Sequence, residues 1–331
     1  MSAAAYAPAP AAGMQDALRA AGAQAAHIGT LWNGTLALCA IVFVAVVAAT
    51  LAAVWRAPRA DAATRPDTAS LSGPEHRLWR RIGWATGLSV AGLLALLAGD
   101  VFTSRALARL PLRDAVNIEL VGHMWWWEAR YRDAEGTGTF TTANELTIPV
   151  GRPVIVTLTS DDVIHSLWVP NLAGKKDLIP GRPTTLHFMA DRPGTYRGQC
   201  AEFCGLEHAL MALLVHAVPP DRYEAWAAGQ RRPAAVPTDP RAVRGGAVLA
   251  QANCARCHTI RGTPAQGGLG PDLTHLASRR TIGAGMFAND SAHLARWVGD
   301  PQAMKPGVNM PASALAPDDL HAVLAYLETL R

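Results

Sequence analysis

The segment Cys200-Ala-Glu-Phe-Cys204-Gly-Leu-Glu-His208-Ala-Leu-Met211 decides the reading of this 331-residue chain. Two thiols, an imidazole and a thioether fall within twelve residues, a soft donor set suited to copper. A second imidazole, His165, stands upstream in Asp162-Val-Ile-His-Ser-Leu-Trp. The composition makes sense if both thiolates bridge two copper ions, each ion taking one histidine, with Met211 weakly bound to one and a backbone carbonyl to the other. A structural zinc site closes with four Cys or His ligands and leaves Met211 without a role. A single blue-copper site needs one cysteine, not two. A Cys200–Cys204 disulfide with a chance histidine is the remaining alternative.

Outward from this loop the chain carries strand signals. Val154, Val156 and Leu158 alternate with Ile155, Thr157 and Thr159, and Leu186, Phe188 and the run 213–218 suggest further strands. Pro180-Gly181 and Pro193-Gly194 punctuate them. Several short strands within residues 112–220 predict an antiparallel β-sandwich or barrel. Upstream, residues 28–55 hold no charge, and residues 82–99 form a second charge-free stretch. The first is long enough to cross ~30 Å of hydrocarbon, which needs roughly 20 apolar residues, and the second, shorter and richer in glycine, leaves a buried soluble helix as its alternative. The reading is a tail over 1–30, a transmembrane helix over 31–55, a loop over 56–81 and a second helix over 82–103. Arg56, Arg59, Arg65, Arg77, Arg80 and Arg81 outnumber Asp61, Asp67 and Glu75 around the loop, which the positive-inside rule places in the cytoplasm. The tail, the copper loop and all that follows then lie outside, on the periplasmic side of a bacterial inner membrane. No cleaved signal peptide is evident.

Downstream, Arg231, Arg232, Pro233, Pro237 and Pro240 mark residues 221–240 as a linker. A helix over 242–252 then leads into Cys254-Ala-Arg-Cys257-His258, the spacing of covalent c-type haem attachment. Two thiols add to the vinyl groups, and the adjacent histidine reaches the iron. A redox dithiol shares Cys-x-x-Cys but not the histidine, and no cysteine is left for zinc; Cys39 stands alone in an apolar run. A methionine should complete the iron's ligands. Met286, Met304 and Met310 compete, and Met310, in Pro306-Gly-Val-Asn-Met-Pro311, lies where a helix cannot continue. Residues 241–331 are read as an all-α cytochrome domain closed by a helix over 317–330.

The segments 162–170, 174–182 and 200–211 resemble the copper domain of cytochrome c oxidase subunit II, and the chain order resembles the fused-cytochrome (caa-type) form of that family. Pro306–Pro311 and Gly270-Pro271 resemble the methionine loop and the proximal-histidine support of class I cytochromes c. The resemblance implies a dinuclear copper centre (CuA) held by His165, Cys200, Cys204, His208, Met211 and the carbonyl of Glu202. It also implies a magnesium ion reached by the Glu202 side chain at the boundary with subunit I. Gly122-His-Met-Trp125-Trp126-Trp127 resembles the aromatic segment beside that copper. There the first tryptophan receives electrons, which maps to Trp125, although Met124 stands where many members carry glutamine.

The expected function is electron transfer from a c-type haem to the copper pair and on to a dioxygen-reducing subunit I, with subunit III and an external donor as further partners. Oxygen chemistry would occur on subunit I, so the chain is an enzyme only within a complex. A copper-delivery or assembly protein with a fused cytochrome is the alternative. A nitrous oxide reductase lacks room for its propeller, and a quinol oxidase subunit lacks the copper ligands. A formal charge of +4 without a basic block gives no reason to expect nucleic acid. His27, His76, His123, His187, His216, His275, His293 and His321 are read as ordinary surface or core residues, and Lys175 to Asp177 as a solvated turn.

Overall fold

The computed structural model describes residues 15–57, 59, 61–65, 68, 75–132 and 139–331, which form two units, 27–110 and the remainder. In the first unit, α1 (Ala23–Arg56) and α2 (Glu75–Ala108) run for 34 residues each. Both are long and apolar enough to cross a membrane. Their large side chains, such as Phe43, Val46, Leu93 and Phe102, are exposed rather than turned into a protein core. That distribution suits hydrocarbon as the surrounding phase, because a soluble helix hides its apolar stripe. Leu31 lies over Gly99 and Leu38 over Gly92.

The tail differs from the reading above. Helix α1 begins at Ala23, well before residue 31, and residues 15–26 lie on the sandwich. The amide of Ala21 donates to the carbonyl of Asn171 at 2.7 Å, and the amide of Asp191 donates to the carbonyl of Ala21 at 2.8 Å. Side chains fasten the tail as well: Gln15 Nε2 donates to Gln199 Oε1 at 2.7 Å, and Asn171 Nδ2 donates to the carbonyl of Arg19 at 2.9 Å.

The sandwich comprises two five-stranded sheets. One has the order β3 (Phe140–Ala143), β2 (Trp126–Arg132), β1 (Val116–His123), β5 (Val154–Ser160), β8 (Thr184–Phe188). The other runs β4 (Glu145–Pro149), β10 (Ala212–Val218), β9 (Gly194–Cys200), β6 (His165–Trp168), β7 (Lys176–Leu178). The sheets are mixed rather than purely antiparallel: β1 pairs parallel with β5, and β4 parallel with β10. Lys176 and Asp177 belong to the edge strand β7, not to a free turn. Alternate residues of β5 point inward (Val154, Val156, Leu158) and join Leu120, Trp127, Leu146, Leu167 and Leu213 in one core. Full burial of each such side chain contributes about 1.5–3 kcal/mol.

The linker region opens with helix α3 (Pro220–Gln230), which buries Tyr223 and Ala227. Trp226 meets Tyr131 and Phe140 edge-on. Within residues 221–240, read from the sequence as a linker, the first half is helical, because apolar residues at helical spacing find a sandwich surface. The cytochrome domain follows with α4 (Pro240–Gln251), α5 (Cys254–Cys257), the short pair β11 (Thr281–Ile282) and β12 (Phe287–Ala288), α6 (Ser291–Gly299) and α7 (Pro317–Leu327). Asp239 caps α4 by accepting from the amides of Arg241 and Ala242, with Pro240 in the first turn, where its missing N–H costs nothing. Helices α4 and α7 cross at Gly245, where a Cβ would come within 1.9 Å of the Ala322 carbonyl oxygen. No side chain fits that crossing.

Candidate metal and haem centres

The β9–β10 hairpin builds the first centre. Its loop closes when the amide of Cys200 donates to the carbonyl of Met211 at 2.9 Å, which brings the two ends of the twelve-residue motif together. Pairing of β6 with β9, Leu167 opposite Cys200, carries His165 to the same spot. The thiols of Cys200 and Cys204 lie 3.7 Å apart. His165 Nδ1 is 3.8 Å from the Cys200 sulfur, and His208 Nδ1 is 3.6 Å from the Cys204 sulfur. Met211 Sδ stands 4.0 Å from Cys204 Sγ, and the Glu202 carbonyl oxygen 3.2 Å from Cys200 Sγ. All six residues named from the sequence for copper therefore converge. The donor atoms are sulfur, imidazole nitrogen and one carbonyl, arranged as two halves sharing a thiol pair. That chemistry fits a soft dinuclear metal and does not use the Glu202 carboxylate, whose residue is exposed.

The mutual hydrogen bond of the two thiols draws Cys200 far below the ordinary thiol value, while Cys204 moves up. His165 Nε2 pairs with Asp162 Oδ1 at 2.8 Å, which leaves Nδ1 facing the sulfur. Asp162 also accepts the amides of Met124 and Val163, each at 2.6 Å. Burial works against its charge, but the His165 contact and these amides outweigh it and hold the carboxyl below its usual range. For His165 burial likewise opposes charging, and the Cys200 and Asp162 contacts overcome it and raise its pKa.

The three consecutive tryptophans have three different fates. Trp127 is fully buried in the sandwich core. Trp126 stacks on His123 with ring centroids 4.3 Å apart. Trp125, in the turn between β1 and β2, donates from its indole Nε1 to the Cys204 carbonyl at 2.8 Å. Core filling thus accounts for Trp127, whereas Trp125 is bonded to the donor loop.

The second donor set lies on α5 and just past it. Cys254 and Cys257 span one helical turn, and His258 leaves it in extended conformation. His258 Nδ1 donates to the Pro271 carbonyl at 2.8 Å, which directs Nε2 away from the backbone as an unprotonated ligand atom. Burial lowers the pKa of His258, only partly offset by the Pro271 contact, so the ring stays neutral as a metal requires. A Cβ at residue 270 would sit 2.7 Å from His258 Cε1, so Gly270 is what admits the ring. These residues fit a covalently held haem. Met310 lies in the coil after the short turn Pro301–Ala303, its carbonyl accepting from Gln302 Nε2 at 3.0 Å. Met304 ends that turn.

Several residues escaped sequence reasoning. Asp162 was visible only as part of a motif, and its orienting role needs the fold. Glu145 and His216 form a buried pair at 3.2 Å, and Lys305 is 1% exposed, although neither position bears any motif. Glu207, inside the copper loop, is buried, and its Oε2 has no hydrogen-bond partner among the described residues.

A mixed cupredoxin-like sandwich carrying a two-thiol donor loop, followed by a haem-attachment domain and preceded by a membrane anchor, defines a cupredoxin–cytochrome fusion protein. Residues 134–218 match the family model of the cytochrome c oxidase subunit II periplasmic domain, and residues 242–331 match that of cytochrome c. Cytochrome c oxidase subunit 2 of Alkalihalophilus pseudofirmus is 39% identical over 219 residues, which span 66% of this chain and 62% of that relative. The chain thus spans somewhat less than two thirds of that relative's length. Cytochrome c oxidase subunit 2 of Bacillus sp. strain PS3 is 29% identical over 265 residues, 74% of this chain and 73% of the relative. The solved periplasmic domain of subunit II of cytochrome oxidase (CoxB) from Bradyrhizobium japonicum is similar at 29% identity, covering 37% of this chain and 97% of that one, with a TM-score of 0.34. Copper and haem are the cofactors these two families imply.

Proposed function

We propose that this chain is the electron-transfer subunit II of a cytochrome c oxidase, with dinuclear copper (CuA) at Cys200, Cys204, His165, His208, Met211 and the Glu202 carbonyl. Covalent haem is attached at Cys254 and Cys257, with His258 and Met310 as axial ligands. The observation that carries the reading is the convergence of four further donors on a sulfur pair 3.7 Å apart. When bound, the two groups supply one-electron carriers.

The chain's residues then do three things. Cys200 and Met211 are 1% and 0% exposed, so the loop excludes water from the sulfur donors, which favours a resident metal over one handed on to another protein. Asp162 and the Pro271 carbonyl fix the rings of His165 and His258. Trp125 spans the surface and the Cys204 carbonyl, as a residue receiving electrons should.

Arg56 at the end of α1 and Arg77, Arg80 and Arg81 at the start of α2 support a cytoplasmic loop, and hence a multi-pass protein with both redox domains on the periplasmic side. Subunit I, which would reduce dioxygen, and subunit III are the proposed partners in the membrane, with an external donor outside. The exposed Glu202 side chain is available to a magnesium ion shared with subunit I. Replacing Cys204 by Ser in the chain's own host tests the function. Donor-driven oxygen uptake by membranes should be lost while the haem spectrum of this chain persists. Unchanged uptake through this complex would refute it.

A further inference from the structure

Two buried polar groups join the cytochrome domain to the sandwich, and neither serves a donor set. Lys305, on the loop that leads to Met310, extends its ammonium out of the cytochrome domain. Its Nζ donates to the carbonyl of Leu210 at 2.8 Å, of Trp125 at 3.3 Å and of Gly283 at 3.4 Å. The first two carbonyls belong to the sandwich. Burial pushes its pKa down to about 8, against the opposing charges of Glu207 and Cys204. A buried ammonium is costly unless its donors are satisfied, and here they are satisfied only with both domains in place.

At a second point the buried carboxylate of Glu145 accepts from the amide of Arg280 at 3.0 Å, and from the amide and hydroxyl of Thr281 at 2.8 and 2.6 Å. Between the two points the amide of Ala212 donates to the carbonyl of Ala284 at 3.0 Å, and Asn309 Nδ2 donates to the carbonyl of Met124 at 3.3 Å. The linker is fastened too. His275 Nε2 donates to the carbonyl of Arg232 at 3.1 Å, and Arg261 reaches the carbonyls of Gln230 and Arg231. An apolar contact can slide with little loss. A contact made of buried charges and directed hydrogen bonds has one register, because any slip strands them unpaired.

From this we propose that Lys305 and Glu145 are positioning residues that lock the cytochrome domain in one place on the copper domain, so that Trp125 receives electrons only from this chain's own haem. External donors then meet the cytochrome domain and not the copper domain. The proposal rests on the electron-transfer reading given above. It extends it in one respect: the fused cytochrome is a fixed element of the path rather than a tethered substrate. The loop carrying Met310 touches the Met124 and Trp125 backbone through Asn309 and Lys305, and Trp125 in turn bonds Cys204. The route therefore passes through Lys305's contacts without needing a diffusive encounter.

The test uses the full-length, cofactor-loaded chain and the variants Lys305→Met and Glu145→Gln. Transfer after flash reduction of the haem should be independent of solvent viscosity in the unaltered protein. In Lys305→Met it should slow by about tenfold or more, as a locked neighbour becomes a tethered one, and become viscosity-dependent. The haem absorption and copper resonance should not change. Glu145→Gln should act in the same direction, and hydrogen exchange at the amides of Ala212 and Thr281 should accelerate in both. Viscosity-dependent transfer in the unaltered protein, or variants with unchanged exchange and rate, would overturn the proposal. Absence of a copper pair or haem from the unaltered chain would instead overturn the electron-transfer reading, while exchange at Ala212 and Thr281 would still report on the lock.

Discussion

The indole nitrogen of Trp125 donates to the carbonyl of Cys204 at 2.8 Å, so the turn that joins β1 to β2 is bonded directly to a thiol-bearing residue of the β9–β10 loop. Two segments far apart in sequence are thereby held as one electronic and mechanical piece. Replacing Trp125 by Phe keeps most of the aromatic bulk and removes this bond. Electron arrival at the copper pair should slow by about tenfold, equivalent to ~1.4 kcal/mol of barrier. The copper resonance should change little. Stopped-flow reduction of the variant measures this, and an unaltered rate would remove Trp125 from the path.

Asp162 orients His165 through Nε2, and the same carboxylate accepts the amide of Met124, next to Trp125. Asn at position 162 can satisfy only part of this set and releases the ring to turn. Copper affinity should fall roughly 10- to 100-fold, the usual cost of losing the partner that orients a metal-bound histidine. Competition with a copper chelator on the purified chain gives the value directly. Equal affinity would show that packing alone holds the ring.

Acidification should act on the contact at Glu145. Burial there disfavours the carboxylate, but the hydrogen bond and charge of His216, with hydrogen bonds from Thr281 and the Arg280 amide, prevail and lower its pKa. A carboxyl lowered in the joined state contributes fully above its ordinary value, near 4.3, and loses that contribution as the pH falls through the lowered value. The titratable and charged groups facing it are His216 on β10 and Arg279 and Arg280 of the cytochrome domain. Small-angle scattering should show constant dimensions from neutral pH down to about 5, then expansion below about 4. In Glu145→Gln the acid-dependent change should be absent.

Met310→Ala and Met304→Ala separate the two candidates for the iron's second axial ligand. Loss of Met310 should abolish the absorption band of sulfur–iron ligation and lower the haem potential, since methionine ligation raises it. Loss of Met304 should leave both intact. The reverse pattern would transfer the assignment to Met304.

The donor residues were legible because their chemistry is rare and their spacing is short. Cys200, Cys204, His208 and Met211 lie in one loop, and Cys254, Cys257 and His258 in one turn. The strand pattern of residues 154–158 was also plain, because alternation survives in any half-buried strand. What stayed hidden depends on pairing between distant segments. The parallel β1–β5 and β4–β10 partners look like any other strands in sequence. Residues 15–26 lie on the sandwich through backbone hydrogen bonds and through polar side chains such as Gln15 and Asn171, whose partners lie more than 150 residues away and leave no local pattern. Lys305 and Glu145 sit in no motif, and only the fold shows that each is buried and bonded to the other domain. Helix α3 was obscured by the prolines and arginines that follow it.

The most direct measurement is electron paramagnetic resonance on the oxidised, purified full-length chain. The account predicts hyperfine structure from one unpaired electron shared equally by two copper nuclei, retained after mild chelation. Signals from isolated single coppers, or copper lost readily to the chelator, would contradict it and favour a chain that carries copper to another protein.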